Sequence, residues 1–256
     1  MKDRQKLFRR FARLHRPGDP LILFNAWDAG SARAIAEAGA PAIATGSWSV
    51  AAAHGYADGE ALPLELAVAN AERIAAAVDV PVSIDFEGGY GVSPDEVWHN
   101  AAVLAQSGAI GCNLEDRHVR GDGLHSIGRQ AERIAAVRDA TAPFFFINAR
   151  TDLFLKAPAQ EHGEQMNEVV ERCHAYAEAG AAGLFVPGLV DRDLIARLCE
   201  RAPLPVNIMA LPAAPGADEL AQLGVARTSH GPGPYRQMLR ALSIAAAAHY
   251  QSMPRA

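Results

Sequence analysis

Two carboxylates one residue apart, Asp85 and Glu87, close the apolar run Val80-Pro81-Val82-Ser83-Ile84 and lead into Gly88-Gly89-Tyr90-Gly91. Side chains alternate along a β-strand, so both acids face the same way at its end. Held side by side they repel unless a cation lies between them or one keeps its proton. Oxygen ligands of this kind suit a hard divalent ion, magnesium or manganese. A second acidic pair, Glu115-Asp116, ends another apolar run, and a third run ends in Asn148-Ala149-Arg150-Thr151-Asp152.

These residues need a scaffold that gathers strand ends, and the chain supplies one. Short runs rich in Val, Ile and Phe alternate with Ala-rich segments of helical period. The expected strands are Leu21–Asn25, Ala42–Thr45, Val82–Ile84, Ile110–Leu114, Phe144–Asn148, Gly183–Val186, Val206–Ile208 and Val225–Thr228. Helices are expected over Ala29–Ala38, Leu64–Val78, Asp95–Ser107, Ile127–Ala140, Met166–Ala179 and Leu194–Ala202. Several close on Ala-Gly-Ala or a near relative, with glycine placed as a C-terminal cap. Strict β/α alternation implies parallel strands covered by helices. Eight units point to a closed (β/α)8 TIM barrel, an α/β fold, rather than an open doubly wound sheet. An open sheet would carry a glycine-rich phosphate loop after its first strand, where this chain reads Trp27-Asp28-Ala29-Gly30-Ser31-Ala32.

In a barrel Asn25, Thr45, Asp85, Glu115, Asn148, Arg150, Asn207 and His230 all fall at or just past the C-terminal strand ends, where barrel enzymes place their chemistry. The 256 residues suit one barrel domain, 1–256, with an N-terminal amphipathic helix over about 1–16 in which Leu7, Phe8, Phe11 and Leu14 recur at helical spacing. A net charge of −5 gives no reason to expect nucleic acid as a partner, and no apolar run is long enough to span a membrane. Cys112, Cys173 and Cys199 are too scattered for a disulfide framework or zinc site, which indicates a reducing cytoplasm.

The ordered segments Asn25-Ala26-Trp27-Asp28-Ala29-Gly30-Ser31-Ala32, Thr45-Gly46-Ser47-Trp48-Ser49-Val50-Ala51, Gly55-Tyr56-Ala57-Asp58, Asp85 to Gly91, Asn113-Leu114-Glu115-Asp116 and Asn148 to Asp152 resemble the isocitrate lyase/phosphoenolpyruvate mutase superfamily. The resemblance implies a Mg2+-dependent enzyme (Mn2+ as a substitute) that binds a small 2-oxo carboxylate or its enolate and makes or breaks a bond at C3. It implies Asp85, Glu87 and Glu115 as a magnesium shell, largely through water, with Asp58 near the reacting atom. Arg150 would pair with the enolate or a carboxylate, and backbone amides around Gly46, Ser47 and Trp48 would cradle the substrate carboxylate. Asn207 and His230 would stand at the pocket rim. It also implies a homotetramer in which the last helix, Tyr235 to Tyr250, swaps between subunits, although that Ala-rich helix could equally pack on its own barrel.

The chain departs from the family pattern in three places. Glu87 stands where the family has Asp, one methylene shorter. The family's serine falls one position from Ser47 when Val50 is aligned. The lid segment Arg117 to His125 lacks both the lyases' catalytic cysteine and the phosphonate enzymes' lysine and asparagine; His118, Arg120 and His125 are its candidate acid/base groups. Decarboxylation of an oxaloacetate-like substrate is therefore the leading reaction, since it needs only a metal, a carboxylate grip and a proton source. C–C cleavage of a substituted malate, C–P chemistry on phosphonopyruvate and a non-catalytic 2-oxo acid binder follow in that order.

Overall fold

In the computed structural model, which describes residues 3–141 and 143–251, eight parallel strands form one sheet. They are β1 (Leu21–Leu23), β2 (Ile43–Ala44), β3 (Val82–Asp85), β4 (Gly111–Glu115), β5 (Phe146–Arg150), β6 (Gly183–Phe185), β7 (Val206–Met209) and β8 (Arg227–Ser229). Their order is β1-β8-β7-β6-β5-β4-β3-β2, and a parallel bridge between Ala26 and Thr45 brings the two outer strands together. The fold is a (β/α)8 barrel.

Each expected strand is present, and several are shorter than expected. β1 stops at Leu23 because the Asn25 side chain takes over the stitching: Nδ2 donates to Thr45 O at 2.9 Å, and Oδ1 accepts the His230 and Gly231 N–H groups at 3.0 and 2.9 Å. One side chain thereby ties the ends of β1, β2 and β8.

The helices are α1 (Arg4–Arg13), α2 (Ala29–Glu37), α3 (Ser47–Ala53), α4 (Leu64–Ala77), α5 (Pro94–Leu104), α6 (Ile127–Thr141), α7 (Leu153–Lys156), α8 (Met166–Glu178), α9 (Arg192–Arg201), α10 (Ala217–Gln222) and α11 (Gly233–Gln251). Asp28 caps α2, accepting Ser31 N–H at 2.7 Å, while the Ser31 hydroxyl accepts from Asp28 N–H at 3.1 Å. This reciprocal box accounts for the Trp27-Asp28-Ala29-Gly30-Ser31 segment as a helix start. The short helices α3 and α10, neither expected from periodicity, sit in the loops after β2 and β7.

Two apolar layers hold the barrel. One lies between the sheet and its helices, with Ile74, Val97, Leu114, Ile134 and Leu184 fully buried. The other fills the N-terminal end of the barrel: Phe11 of α1 packs on Leu21, Leu23, Ala44 and Phe146, and the His15 ring stacks on Phe146 at 4.2 Å. α1 is the plug of that end.

α11 does not lie along its own barrel. Its Leu239, Leu242, Ile244 and Tyr250 are 41–72% exposed, and so are Ile22 (48%) and Phe24 (42%) on the outer face of β1. Packing against its own strands would have covered both sets.

Candidate active site

A pocket of about 180 Å3 opens at the C-terminal mouth, with Asn25, Asp58, Asp85, Asn113 and Arg150 as its charged and amide lining and Phe185 and Met209 as an apolar wall. Strand geometry places most of these. Asp85 ends β3 in register with Asn113, and Glu115 ends β4 in register with Arg150 of β5. Asp58 comes from the loop after α3 and is joined to the mouth by Ser47, whose hydroxyl donates to Asp58 Oδ1 at 3.2 Å and whose N–H donates to Asp85 Oδ2 at 3.0 Å. The Ser47 amide is therefore committed to Asp85. Trp48 lies under the Arg236 guanidinium at 4.5 Å.

Arg150 is clamped. Nε and Nη2 donate to Asp152 at 2.6 and 3.0 Å, and Nη1 stands 3.0 Å from Glu115 Oε2. Burial alone would lower its pKa, but Glu115, Asp152 and Asp85 more than offset this and keep it charged. The result is a fixed cation at the pocket wall.

The acids carry more negative charge than the local cations balance. Burial and the Asp85 carboxylate push Glu87 up to about 7. Burial raises Asp58, with Asp85 adding to it, and burial raises Glu115 in spite of Arg150. Asp85 Oδ1 is buried with no hydrogen-bond partner, while Glu115 Oε1 has only the Arg117 guanidinium, with Nε at 3.4 Å. An orphaned carboxylate oxygen amid acids that resist ionisation is what a divalent cation would relieve. Among the described residues no three acidic, His or Cys side chains come together as a direct cage. A hydrated Mg2+ touching few carboxylates fits such an arrangement better than a dehydrated ion does.

The structure gathers Asp58, Asp85, Gly46, Ser47, Trp48 and Arg150 around one pocket, with Glu115 behind Arg150. Glu87 faces an adjoining small cavity beside Asp85, Thr45 and Tyr90. Three other residues lie elsewhere. His118 packs on His125, with ring centroids 4.0 Å apart, and lines a separate cavity with Glu60 and Arg120. Asn207 is buried within the barrel, its Oδ1 accepting from the Ser229 hydroxyl at 3.2 Å. The His230 side chain turns outward beside Phe24 and lines an apolar groove with Leu211 and Pro212. Asp116, the partner of Glu115 in the acidic pair, is fully buried away from the pocket, accepting from Arg172 at 3.1 Å and from Tyr176 Oη at 2.9 Å. Sequence reasoning passed over Phe185, Ser229 and Arg227. An arginine inside the otherwise apolar strand Val225–Thr228 was the one available signal.

A closed parallel barrel with acids and a clamped arginine at its C-terminal mouth defines a (β/α)8 enzyme of the lyase and mutase type. Residues 11–250 match the family model described as phosphoenolpyruvate phosphomutase, and the chain belongs to that family. A Burkholderia cenocepacia protein assigned provisionally as a phosphonomutase has a crystal structure with a TM-score of 0.93 at 47% identity, covering 96% of this chain and 99% of that one. An uncharacterized Mycobacterium tuberculosis protein is 36% identical over 93% of this chain and 88% of its own length. The 2-methylisocitrate lyase of Salmonella typhimurium is 29% identical over 89% of this chain and 83% of the relative.

Proposed function

We propose that the chain is a Mg2+-dependent lyase acting on a small 2-oxo carboxylate through an enolate, with oxaloacetate-like decarboxylation as its reaction. The observation that carries this reading is the clamped Arg150 facing, across one pocket, an Asp85 carboxylate with an orphaned oxygen. Asp85, Glu87 and Glu115 would hold the metal, mainly through water, and the bound ion would supply positive charge to the keto and carboxylate oxygens of the substrate.

In the decarboxylation the C3–C4 bond breaks, its electron pair becomes the C2–C3 enolate, CO2 leaves, and a proton added at C3 gives pyruvate. Arg150 contributes fixed charge beside the developing oxyanion without gaining or losing a proton. Phe185, Met209 and Pro232 keep water from the leaving carboxylate. Asp58 lines the pocket whereas His118 lines a separate cavity, which supports Asp58 over His118 as the group that delivers the proton at C3. The same apolar wall favours, as a second reading, C–C cleavage of a malate carrying apolar substituents.

Pyruvate formation from oxaloacetate well above the magnesium-catalysed background tests the proposal. Binding of 2-oxo acids without turnover would leave a binder rather than an enzyme. A Glu115→Gln variant with full turnover would remove Glu115 from the site. For assembly we propose a homotetramer in which α11 of one copy covers the bare β1 face of another, supported by the two exposed apolar surfaces.

A further inference from the structure

One pocket residue has its orientation set from beneath. Asn113 of β4 is in register with Asp85 and with Asn148, and its side chain reaches the pocket floor. Its Oδ1 accepts two hydrogen bonds, from Asn148 Nδ2 at 2.9 Å and from Arg227 Nη2 at 3.3 Å. A guanidinium has donors only, so the Asn113 atom that faces Arg227 must be the amide oxygen. The Asn113 NH2 group is thereby turned away from Arg227, toward the pocket, and no described residue accepts from it.

Arg227 is an expensive way to orient an amide. It is 1% exposed, makes no ion pair among the described residues, and leaves Nε and Nη1 without partners. Burial lowers its pKa to about 9, against a smaller opposing pull from Asp85. A buried cation without a carboxylate partner destabilises the fold, and an apolar side chain of similar volume would be tolerated as well or better. Such a residue points to a demand of the site rather than of the core.

We propose that Asn113 donates its amide N–H to an oxygen of the bound 2-oxo acid, and that Arg227 is a positioning residue that holds the amide in that orientation. The inference rests on the 2-oxo acid reading above. It adds a neutral donor on the pocket floor, one strand over from Arg150, suited to the carboxylate or keto oxygen of a planar substrate.

Calorimetric titration with oxalate, a planar dianion that matches the two oxygens of a 2-oxo acid enolate, tests this in excess MgCl2. Asn113→Leu and Arg227→Met should each raise the oxalate Kd on the order of 10- to 100-fold, the loss expected for one hydrogen bond to a charged group. Arg227→Met should melt at or above the wild-type temperature, and Arg227→Lys should recover part of the affinity. A purely structural role for Arg227 would instead lower melting temperature and binding stoichiometry and leave Kd unchanged; that result overturns the positioning role. Asn113→Leu binding oxalate within twofold of wild type overturns the donor role. If that variant fails to fold, Arg227→Met decides alone, since wild-type affinity there removes the proposal. Wild-type protein that ignores oxalate in MgCl2 would sink the 2-oxo acid reading itself, a failure distinct from variants that bind normally.

Discussion

Glu87 reaches back from the end of β3 to accept the backbone N–H of Glu60 at 2.8 Å, and Glu60 in turn accepts the N–H of Tyr90 at 2.7 Å. All three residues hold positive φ, 58° at Glu60, 50° at Glu87 and 55° at Tyr90, a region non-glycine residues seldom adopt. The loop that carries Asp58 is thereby fastened to the strand that carries Asp85. The methylene that distinguishes Glu87 from the family's Asp has a use here, since it lets the carboxylate lie beside Asp85 and still reach Glu60. Strain of this kind persists where the surroundings impose it, and it gathers at working sites.

The raised pKa of Glu87 makes stability depend on pH. Its folded value of about 7 exceeds the ordinary 4.5, so the native state binds more protons between those limits. Metal-free stability should therefore fall as pH rises from about 4.5 to about 7, by at most on the order of 3 kcal/mol from this group. Glu87→Gln should flatten the slope and raise the melting temperature at pH 8. Thermal melts of both proteins from pH 5 to 8 check it, and identical slopes would absolve Glu87.

Arg150→Lys should not be a mild change. A lysine cannot make the bidentate contact to Asp152 and also reach Glu115, so the fixed charge at the pocket wall is lost. Turnover of oxaloacetate should drop on the order of 100-fold or more. Steady-state kinetics with kcat within a few-fold of wild type would contradict the role given to this guanidinium.

Asp116→Ala should act on folding alone. It removes the acceptor for Arg172 Nη1, Tyr176 and the Asp152 N–H, leaving the half of the Arg172 guanidinium that faces the core without its carboxylate while Nε and Nη2 keep Glu168. A cost of about 3 to 5 kcal/mol is expected, read from urea denaturation. Magnesium affinity of the protein that remains folded should match wild type; a large loss would place Asp116 in the site after all.

Leu242→Glu combined with Ile244→Glu should shift the protein toward monomer in light scattering, because both side chains are more than half exposed in the chain by itself. Burying two carboxylates against the β1 face of a neighbour would cost far more than leaving them in water. An unchanged mass would show that α11 covers nothing.

Much of this protein is local and therefore written in the chain. Eight apolar runs and the glycines after helices depend on neighbours a few residues away, and the barrel follows from their alternation. Asp85, Glu115 and Arg150 were legible for the same reason, because parity along a strand decides which way they face. Glu87 lies past the end of β3 with positive φ, so the alternation expected to aim it beside Asp85 does not reach it. Three-dimensional packing alone decided the rest. Asn207 stands at a strand position like the others, yet its side chain is buried against the Ser229 hydroxyl rather than in the pocket lining. His118 and His230 lie in loops, where contacts with His125 and Phe24 set their direction and no periodicity reports it. Glu115 and Asp116 are adjacent in sequence and opposite in role, since one meets Arg150 at the mouth and the other meets Arg172 of α8 in the core. The partners of a charge come from distant segments, and only the closed barrel brings those segments within hydrogen-bonding reach.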